Sequence, residues 1–245
     1  MKVPPMLNKS NVLIIVPAFN EQASVGSVLR ELLELKYNVL LISDGSTDDT
    51  ASIGKLEGSH VLELPINLGV GGALRAGFKY ACQHNYEAAI QVDADGQHPP
   101  DEIEALISVA NDSGAHMVIG SRFVDSAGQM DVSGIRRLAM RVLSQSATAA
   151  TGTPITDSTS GFRIIRQPLL EQFSLHFANN YLGDTYEAVI AAGRAGYIVV
   201  ETPAGLLPRA NGESTASATA AARFTLKGLG VAFLRLHKKL QPFHS

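Results

Sequence analysis

The sequence contains a single cysteine, Cys82, among 245 residues, so no internal disulfide can form. The first ten residues, MKVPPMLNKS, lack the apolar core of a secretory signal peptide. No stretch reaches the roughly 18 to 20 uninterrupted apolar residues that a bilayer-spanning helix needs. These absences predict a protein of the reducing cytoplasm that does not span a membrane.

An excess of positive charge is also missing, since the formal net charge is −3. This balance argues against a nucleic-acid partner, because such binding rests on neutralising phosphates. The charges are unevenly distributed. From Pro203 onward six basic residues accompany one acidic residue, so an anionic partner or an anionic membrane surface is expected near the C-terminus.

Apolar, β-branched runs alternate with segments of helical period, and at 45% hydrophobic residues the chain can bury a large core. This alternation predicts one α/β domain, a Rossmann-like, mostly parallel sheet flanked by helices on both faces. The predicted division is an N-terminal tail (1–10), the α/β domain (11–211) and a mobile segment followed by a basic amphipathic C-terminal helix (212–245). Strands are expected at 11–17, 38–43, 60–65, 87–93, 116–121, 161–166 and 197–201. Helices are expected at 24–35, 46–56, 70–84, 100–112, 133–151 and 184–194.

Acidic residues follow several of these strands. Glu21 follows the first strand, Asp44 the second, and Asp93 and Asp95 the fourth, in the stretch VDADGQHPP. Ligands of parallel α/β sheets bind beyond the carboxyl ends of the strands, so these residues should meet in one crevice. Clustered carboxylates repel unless a cation or hydrogen-bond donors compensate them. Asp93 and Asp95 can present hard oxygen ligands to Mg²⁺ or Mn²⁺ bound together with a diphosphate.

Two further motifs have ordinary structural readings as well. DGSTDDT (44–50) suits a turn and a helix cap, which accounts for Ser46 and Asp48 but leaves Asp44 able to bind a ligand. NLGVGGALRAG (67–77), which includes Gly71, resembles a glycine-rich phosphate turn, and close helix packing explains it equally well.

Taken in order, VPAFNE, SDGSTDDT, NLGVGGALRAG, VDADGQHPP, GSRF and DSTSGFR resemble the family 2 glycosyltransferases with a GT-A fold. The likeness covers about residues 11 to 215 and is nearest to the dolichyl- or polyprenyl-phosphate mannosyl- and glucosyltransferases. It implies an inverting transfer of a hexose from UDP- or GDP-sugar to a lipid phosphate or a glycan hydroxyl, as in cell-envelope glycan synthesis.

The resemblance also implies roles for individual residues. The nucleoside would be bound by Pro17, Phe19, Glu21 and Asp44. The metal and the diphosphate would be bound by Asp93, Asp95 and Gln97. Phosphates of donor and acceptor would be bound by Arg122, Arg136 and Arg209, whose planar guanidinium groups can each engage two oxygens.

The acceptor decides whether a general base is needed. A lipid phosphate is already anionic, whereas a hydroxyl must lose a proton to a carboxylate. The candidates are Asp157, for which a turn or cap role is equally open, and Asp184 or Glu187. His98 is expected to support the metal loop, and His176 is a lesser candidate.

Two departures from the family pattern bear on the acceptor and the partner. Many members have Ser-Lys after the R-x-x-G turn, but here Glu213, Ser214 and Thr215 follow, and the missing lysine weakens the case for a polyprenyl phosphate. Residues 222 to 240 predict an amphipathic helix that either contacts an anionic bilayer or a membrane partner, or packs on its own domain or on a second subunit of a homodimer. An NAD(P)-dependent oxidoreductase and a non-catalytic sugar-nucleotide-binding subunit remain alternatives.

Overall fold

A computed structural model describes residues 5–122, 134–177, 184–205 and 240–243, without the side chains of 134–139 and 184. Within these residues, seven strands form one sheet in the order β3-β2-β1-β4-β6-β5-β7. Only β6 runs antiparallel to its neighbours, which confirms the mostly parallel sheet. The strands are β1 Val12–Ala18, β2 Asn38–Asp44, β3 His60–Leu64, β4 Ala88–Gln91, β5 Met117–Ser121, β6 Arg163–Arg166 and β7 Val199–Pro203.

Helices cover both faces of the sheet. They are α1 Val25–Glu34, α2 Thr50–Leu56, α3 Val70–Gln83, α4 Ile103–Ser113, α5 Gly134–Thr151, α6 Leu169–His176 and α7 Asp184–Arg194, with a short 3-10 helix at Pro100–Glu102. Successive residues of β1 point to opposite faces, so Leu13 and Ile15 join the core beneath α3, while Ile14 and Val16 join the core beneath α1 and α4. None of the described helices is long and apolar enough to cross a bilayer.

Helix α6 was not predicted from the sequence. It contains eight residues and begins directly after Pro168, so its helical periodicity is too short to distinguish it from a loop. Aromatic side chains in the helix and directly after it hold it in place, because Phe173 and Phe177 pack on Phe78 of α3 with ring centroids 6.2 and 5.2 Å apart. Helix α2 also differs from expectation, since it begins at Thr50 rather than at residue 46.

The start of the described chain is docked on the domain rather than forming a tail. Leu7 is buried in the core, and its backbone exchanges two hydrogen bonds with the side chain of Asn111, at 2.8 and 3.0 Å. The buried Arg166 guanidinium donates to the carbonyl oxygens of Pro5 and Ala110, at 2.6 and 3.0 Å. Residues 5–10 therefore belong to the folded unit.

Residues 240–243 are docked at the amino end of β5. Leu240 lies in the core, and the Phe243 ring packs against His116 with centroids 4.3 Å apart. Residues 206–239, which contain most of the predicted amphipathic helix, lie outside the described residues, and Leu240 is not in a helix.

The His116 contact predicts a pH-dependent stability. Nδ1 of the ring accepts the Ile198 N–H at 3.0 Å, and burial, assisted by the charge of Arg166, lowers the pKa of His116 to about 4. An unfolded histidine takes up a proton near pH 6.5, so protons favour the unfolded state as the pH falls from 6.5 to 4. We expect His116→Asn, which keeps an acceptor but cannot titrate, to remove on the order of 2 kcal/mol of that stability loss. Denaturant unfolding at pH 7 and pH 4.5 measures the difference, and equal pH slopes in both proteins would contradict it.

Candidate functional site

The carboxyl ends of β2, β1 and β4 lie side by side, because these strands are neighbours in the sheet. Parallel strands lie about 4.8 Å apart, so the ends of β2 and β4 are separated by about 10 Å. Asp44 ends β2, and Asp93 lies two residues beyond the end of β4. The segments that follow these three strands therefore meet at this edge of the sheet.

Asp44 is almost completely buried and is held by the loop after β3. Its Oδ1 accepts the N–H of Leu68 at 2.8 Å. The next residue, Gly45, has φ +70°, and a Cβ there would lie 2.5 Å from the backbone nitrogen of Asn67. Only glycine allows the two loops to approach this closely, so the close approach at Gly45 fixes the position of Asp44.

The loop after β1 is bonded to the loop after β2. Asn20 donates its N–H to Ser46 Oγ at 3.1 Å and accepts the Thr47 N–H at 2.8 Å. The N–H of Glu21 donates to Thr50 Oγ1 at 2.9 Å. Beside these contacts Pro17 is half-buried, and 47% of Phe19 is exposed, so the aromatic ring can stack on a ligand.

Asp48 in the same loop carries a structural role. Burial acts to raise its pKa, but hydrogen bonds from Thr50 and from the backbone of Gln22 outweigh burial, and the pKa falls below its usual value. Its Oδ1 accepts both the N–H and the hydroxyl of Thr50, the first residue of α2. Asp48 therefore helps to start the helix, as the turn interpretation predicts.

Asp93 and Asp95 lie on a tight loop after β4. Asp93 Oδ1 accepts Gln91 Nε2 at 3.0 Å, and the side chain of Asp93 is 37% exposed. Asp95 is buried, and its Oδ1 accepts the backbone N–H of Gln97 at 3.0 Å. Gln97 thus contributes its backbone to the loop, and its predicted role as a metal ligand stays a prediction.

His98 supports this loop, as expected. It is 5% exposed, its Nδ1 accepts the Asp93 N–H at 2.9 Å, and its ring packs on Phe162 with centroids 5.0 Å apart. Because Nδ1 is an acceptor, the proton of the neutral ring is on Nε2, which lies 3.7 Å from Asp93 Oδ2.

Arg122 and Asp157 form a bidentate ion pair on the other side of the site. Arg122 Nε and Nη2 donate to the two oxygens of Asp157, at 2.7 and 2.9 Å. The Asp157 side chain has no exposed surface, whereas 43% of the Arg122 side chain is exposed. The hydrogen bonds to Asp157 raise the pKa of Arg122, so the guanidinium stays charged. This geometry favours ion pairing over proton transfer for Asp157.

A single loop connects the two sides of the site. Its residue Asp157 binds Arg122, and its residue Gly161 lies against Asp93, because a Cβ on Gly161 would come within 2.8 Å of Gln91 Nε2 and 3.2 Å of Asp93 Oδ2. We call residues 156–162 the bridging loop. Its length sets the separation between Arg122 and the loop that carries Asp93 and Asp95, which we call the acidic loop.

The other predicted residues are placed as follows. Gly71 lies buried in the first turn of α3. Glu187 is buried under α6, where it lines a small cavity with His176. Arg209 and the side chains of Arg136 and Asp184 lie outside the described residues.

Two residues at this edge were not predicted from the sequence. Gln91, 3% exposed, orients Asp93, and Glu201 on β7 accepts three hydrogen bonds from Thr156 and Asp157. Gln91 ends the apolar strand β4, and Glu201 ends the apolar run at 197–201 in the sequence, so both could have been identified as candidates, without their partners.

Comparison with known proteins agrees with this architecture. The model of glycosyl transferase family 2 matches residues 13–173, and the chain belongs to that family. It is similar to polyprenol monophosphomannose synthase of Mycolicibacterium smegmatis, with 29% identity over 84% of this chain and 80% of the relative. It is equally similar to undecaprenyl-phosphate mannosyltransferase of Micrococcus luteus, with 29% identity over 84% of this chain and 87% of the relative.

A solved structure supports the GT-A fold. Glucosyl-3-phosphoglycerate synthase of Mycobacterium tuberculosis, in complex with Mn²⁺, UDP and glucosyl-3-phosphoglycerate, superposes with a TM-score of 0.67 at 20% identity, covering 90% of this chain and 79% of that one. The family assignment confirms the predicted glycosyltransferase and displaces the oxidoreductase alternative.

The hydrogen bonds of His98 in the acidic loop and of His84 after α3 predict opposite tautomers for the two rings. His98 should carry its proton on Nε2, since Nδ1 accepts the Asp93 N–H. His84 should carry it on Nδ1, which lies 2.9 Å from the carbonyl oxygen of Tyr80. Long-range ¹H–¹⁵N correlation spectra at alkaline pH, assigned with His98→Gln and His84→Gln, distinguish the two forms. An Nδ1-protonated His98 would show that the described loop geometry is wrong.

Proposed function

We propose that the protein transfers a hexose from UDP- or GDP-sugar to a polyprenyl phosphate, using Mg²⁺ or Mn²⁺, with inversion at the sugar C1. Family membership supports the transfer chemistry, and the acceptor follows from the two relatives whose names specify polyprenol or undecaprenyl phosphate. A homodimer, contact with a membrane or a membrane partner, and cytoplasmic location stay predictions from the sequence.

The observation that carries this proposal is the bridging loop. It places a charged guanidinium, Arg122, and the acidic loop of Asp93 and Asp95 along one edge of the sheet. A sugar nucleotide needs both features, because its diphosphate is anionic and its leaving group gains charge during transfer.

The acidic loop fits a divalent cation. Asp93 and Asp95 are hard oxygen donors on one short loop, and the Asp93 carboxylate is partly exposed. Among the described residues no group of three or more His, Cys, Asp or Glu side chains is arranged to hold a metal alone. A cation bound here would therefore be shared with the diphosphate, as is usual for Mg²⁺. When bound, it neutralises the charge that develops on the leaving diphosphate.

The nucleoside is assigned to the other end of the edge. Asp44 and Glu21 can accept hydrogen bonds from a base or ribose, and the exposed ring of Phe19 can stack on the base. Gly71, in the first turn of α3, is assigned to phosphate binding. Arg122, Arg136 and Arg209 are assigned to phosphates of the donor and the acceptor.

The geometry of Asp157 bears on the reaction step. An anionic phosphate oxygen of the acceptor attacks C1. The bond from C1 to the nucleoside diphosphate breaks, and its electron pair leaves with the diphosphate. No proton has to be removed, so no general base is required. This agrees with an Asp157 carboxylate that is buried and ion-paired to Arg122. A glycan hydroxyl acceptor would need a base elsewhere.

Substitution of Asp95 tests the proposal. We expect Asp95→Asn to lower transfer by at least about 100-fold, because it removes one charge from the cation and diphosphate site. The measurement is the transfer of radiolabelled hexose from UDP- and GDP-sugars to undecaprenyl phosphate with Mn²⁺, read in the organic phase.

Asp101→Asn is the matched control. Asp101 is an exposed acid six residues away on the 3-10 helix, and its loss should leave transfer unchanged. Full transfer by Asp95→Asn would refute the role of the acidic loop. Transfer only to a glycan hydroxyl would refute the acceptor and retain the donor.

A further inference from the structure

Glu201 binds the bridging loop with an unusual concentration of hydrogen bonds. Its Oε2 accepts both the N–H and the hydroxyl of Thr156, at 2.7 and 2.8 Å, and its Oε1 accepts the N–H of Asp157 at 2.6 Å. Two consecutive backbone amides thus donate to one carboxylate. Such charge-assisted bonds are short and directional, so they fix the two peptide planes on either side of Thr156.

The second of these peptides joins Thr156 to Asp157, and Asp157 binds Arg122. Asp157, whose N–H is bound by Glu201, uses its carboxylate to bind Nε and Nη2 of Arg122. Without the restraint on the backbone, the carboxylate would sit on an ordinary loop. Glu201 therefore determines where the Asp157 carboxylate points.

Both ends of this chain of contacts rest on paired strands. Glu201 lies opposite Ile119 in the parallel pairing of β5 with β7, and Arg122 is the residue after β5. The hydroxyls of Ser121 and Thr156 lie 3.1 Å apart, and the Ala204 N–H donates to the Ser121 carbonyl at 2.9 Å. The arginine is thus anchored to the sheet by two routes, through its backbone and through the carboxylates.

The division of exposure matches a positioning role. Asp157 is fully buried, whereas Arg122 keeps 43% of its side chain exposed, so one edge of the guanidinium is held while part of the side chain faces solvent. Phosphate binding by an arginine depends on the direction of its planar donors, and pre-set donors lose less entropy on binding.

We propose that Glu201 is a positioning residue for sugar transfer, which orients Arg122 toward substrate phosphate by fixing the backbone of Thr156 and Asp157. This proposal rests on the proposed function, since it takes Arg122 as a phosphate-binding residue. It gives β7 a part in the site that no motif of the sequence indicated.

A double-mutant cycle tests the proposal. Glu201→Ala should lower kcat/KM for transfer at least tenfold in the native background. In the Arg122→Ala background, Glu201→Ala should lower kcat/KM less than twofold, because the guanidinium that Glu201 positions is already absent. A residue that merely stabilises the fold would give the same loss in both backgrounds. Equal losses, or no loss in the native background, would overturn the proposal.

Two further variants guard against unfolding. Glu201→Gln keeps the shape but turns one end of the side chain into a donor facing N–H or O–H groups, so an intermediate loss is expected. Thr156→Val removes the contacts of the hydroxyl with Glu201 and Ser121 but keeps both backbone bonds to Glu201, so it should cost less than Glu201→Ala. Glu63→Ala, which removes a strand glutamate paired with Lys55 on the surface, is the control and should leave kcat/KM unchanged.

A spectroscopic readout separates this proposal from the proposed function. The Arg122 Nε–H is bound to a buried carboxylate, so its exchange with solvent should be slow, and the signal should disappear in Arg122→Lys. Glu201→Ala should accelerate that exchange at least tenfold, whether or not the acceptor is a polyprenyl phosphate. Unchanged exchange refutes the positioning role. Accelerated exchange in a protein that transfers no hexose refutes the proposed function alone.

Discussion

The acidic edge of the sheet depends on hydrogen bonds supplied by the protein itself. Asp44, Asp93 and Asp95 each accept a bond from a neighbouring amide, either of the backbone or of Gln91, and Asp157 is paired with Arg122. Repulsion between carboxylates is thereby offset before any ligand contributes. The proposed cation and sugar nucleotide would thus bind to an arrangement that is already formed, and little reorganisation would be needed.

The bridging loop gives this arrangement its dimensions. Gly161 must lie against Asp93, and Asp157 must reach Arg122, so the two sides of the site are joined by five residues. The Gly120 N–H donates to the Phe162 carbonyl at 2.8 Å, and the Phe162 ring packs on His98. The residues of the site are therefore connected by one continuous set of hydrogen bonds and packing contacts that runs from β7 to β4.

The sequence predicted the elements whose patterns are local. The buried strands are recognisable in the sequence as apolar runs, and all seven predicted strands are present with shifts of a few residues at their ends. The acids at and after the ends of β2 and β4 could also be predicted to lie near one another, because parallel strands bring their carboxyl ends together.

Features that depend on distant partners could not be predicted in this way. Helix α6 is short and is stabilised by aromatic contacts with α3. The pairing of Asp157 with Arg122 joins residues 35 positions apart, and Glu201 acts on residues more than 40 positions earlier. Local propensity carries no information about such contacts.

The docked N-terminal segment moves the boundary of the folding unit. A shortened chain starting at residue 11, where the first strand begins to be recognisable, would lack Leu7 and would deprive Arg166 and Asn111 of acceptors that they now use. The buried guanidinium of Arg166 and the side-chain amide of Asn111 would then have fewer hydrogen-bond partners. Both groups lie at the opposite edge of the sheet from the acidic loop. Within the described residues, the interior is therefore completed by the segment that begins at Pro5.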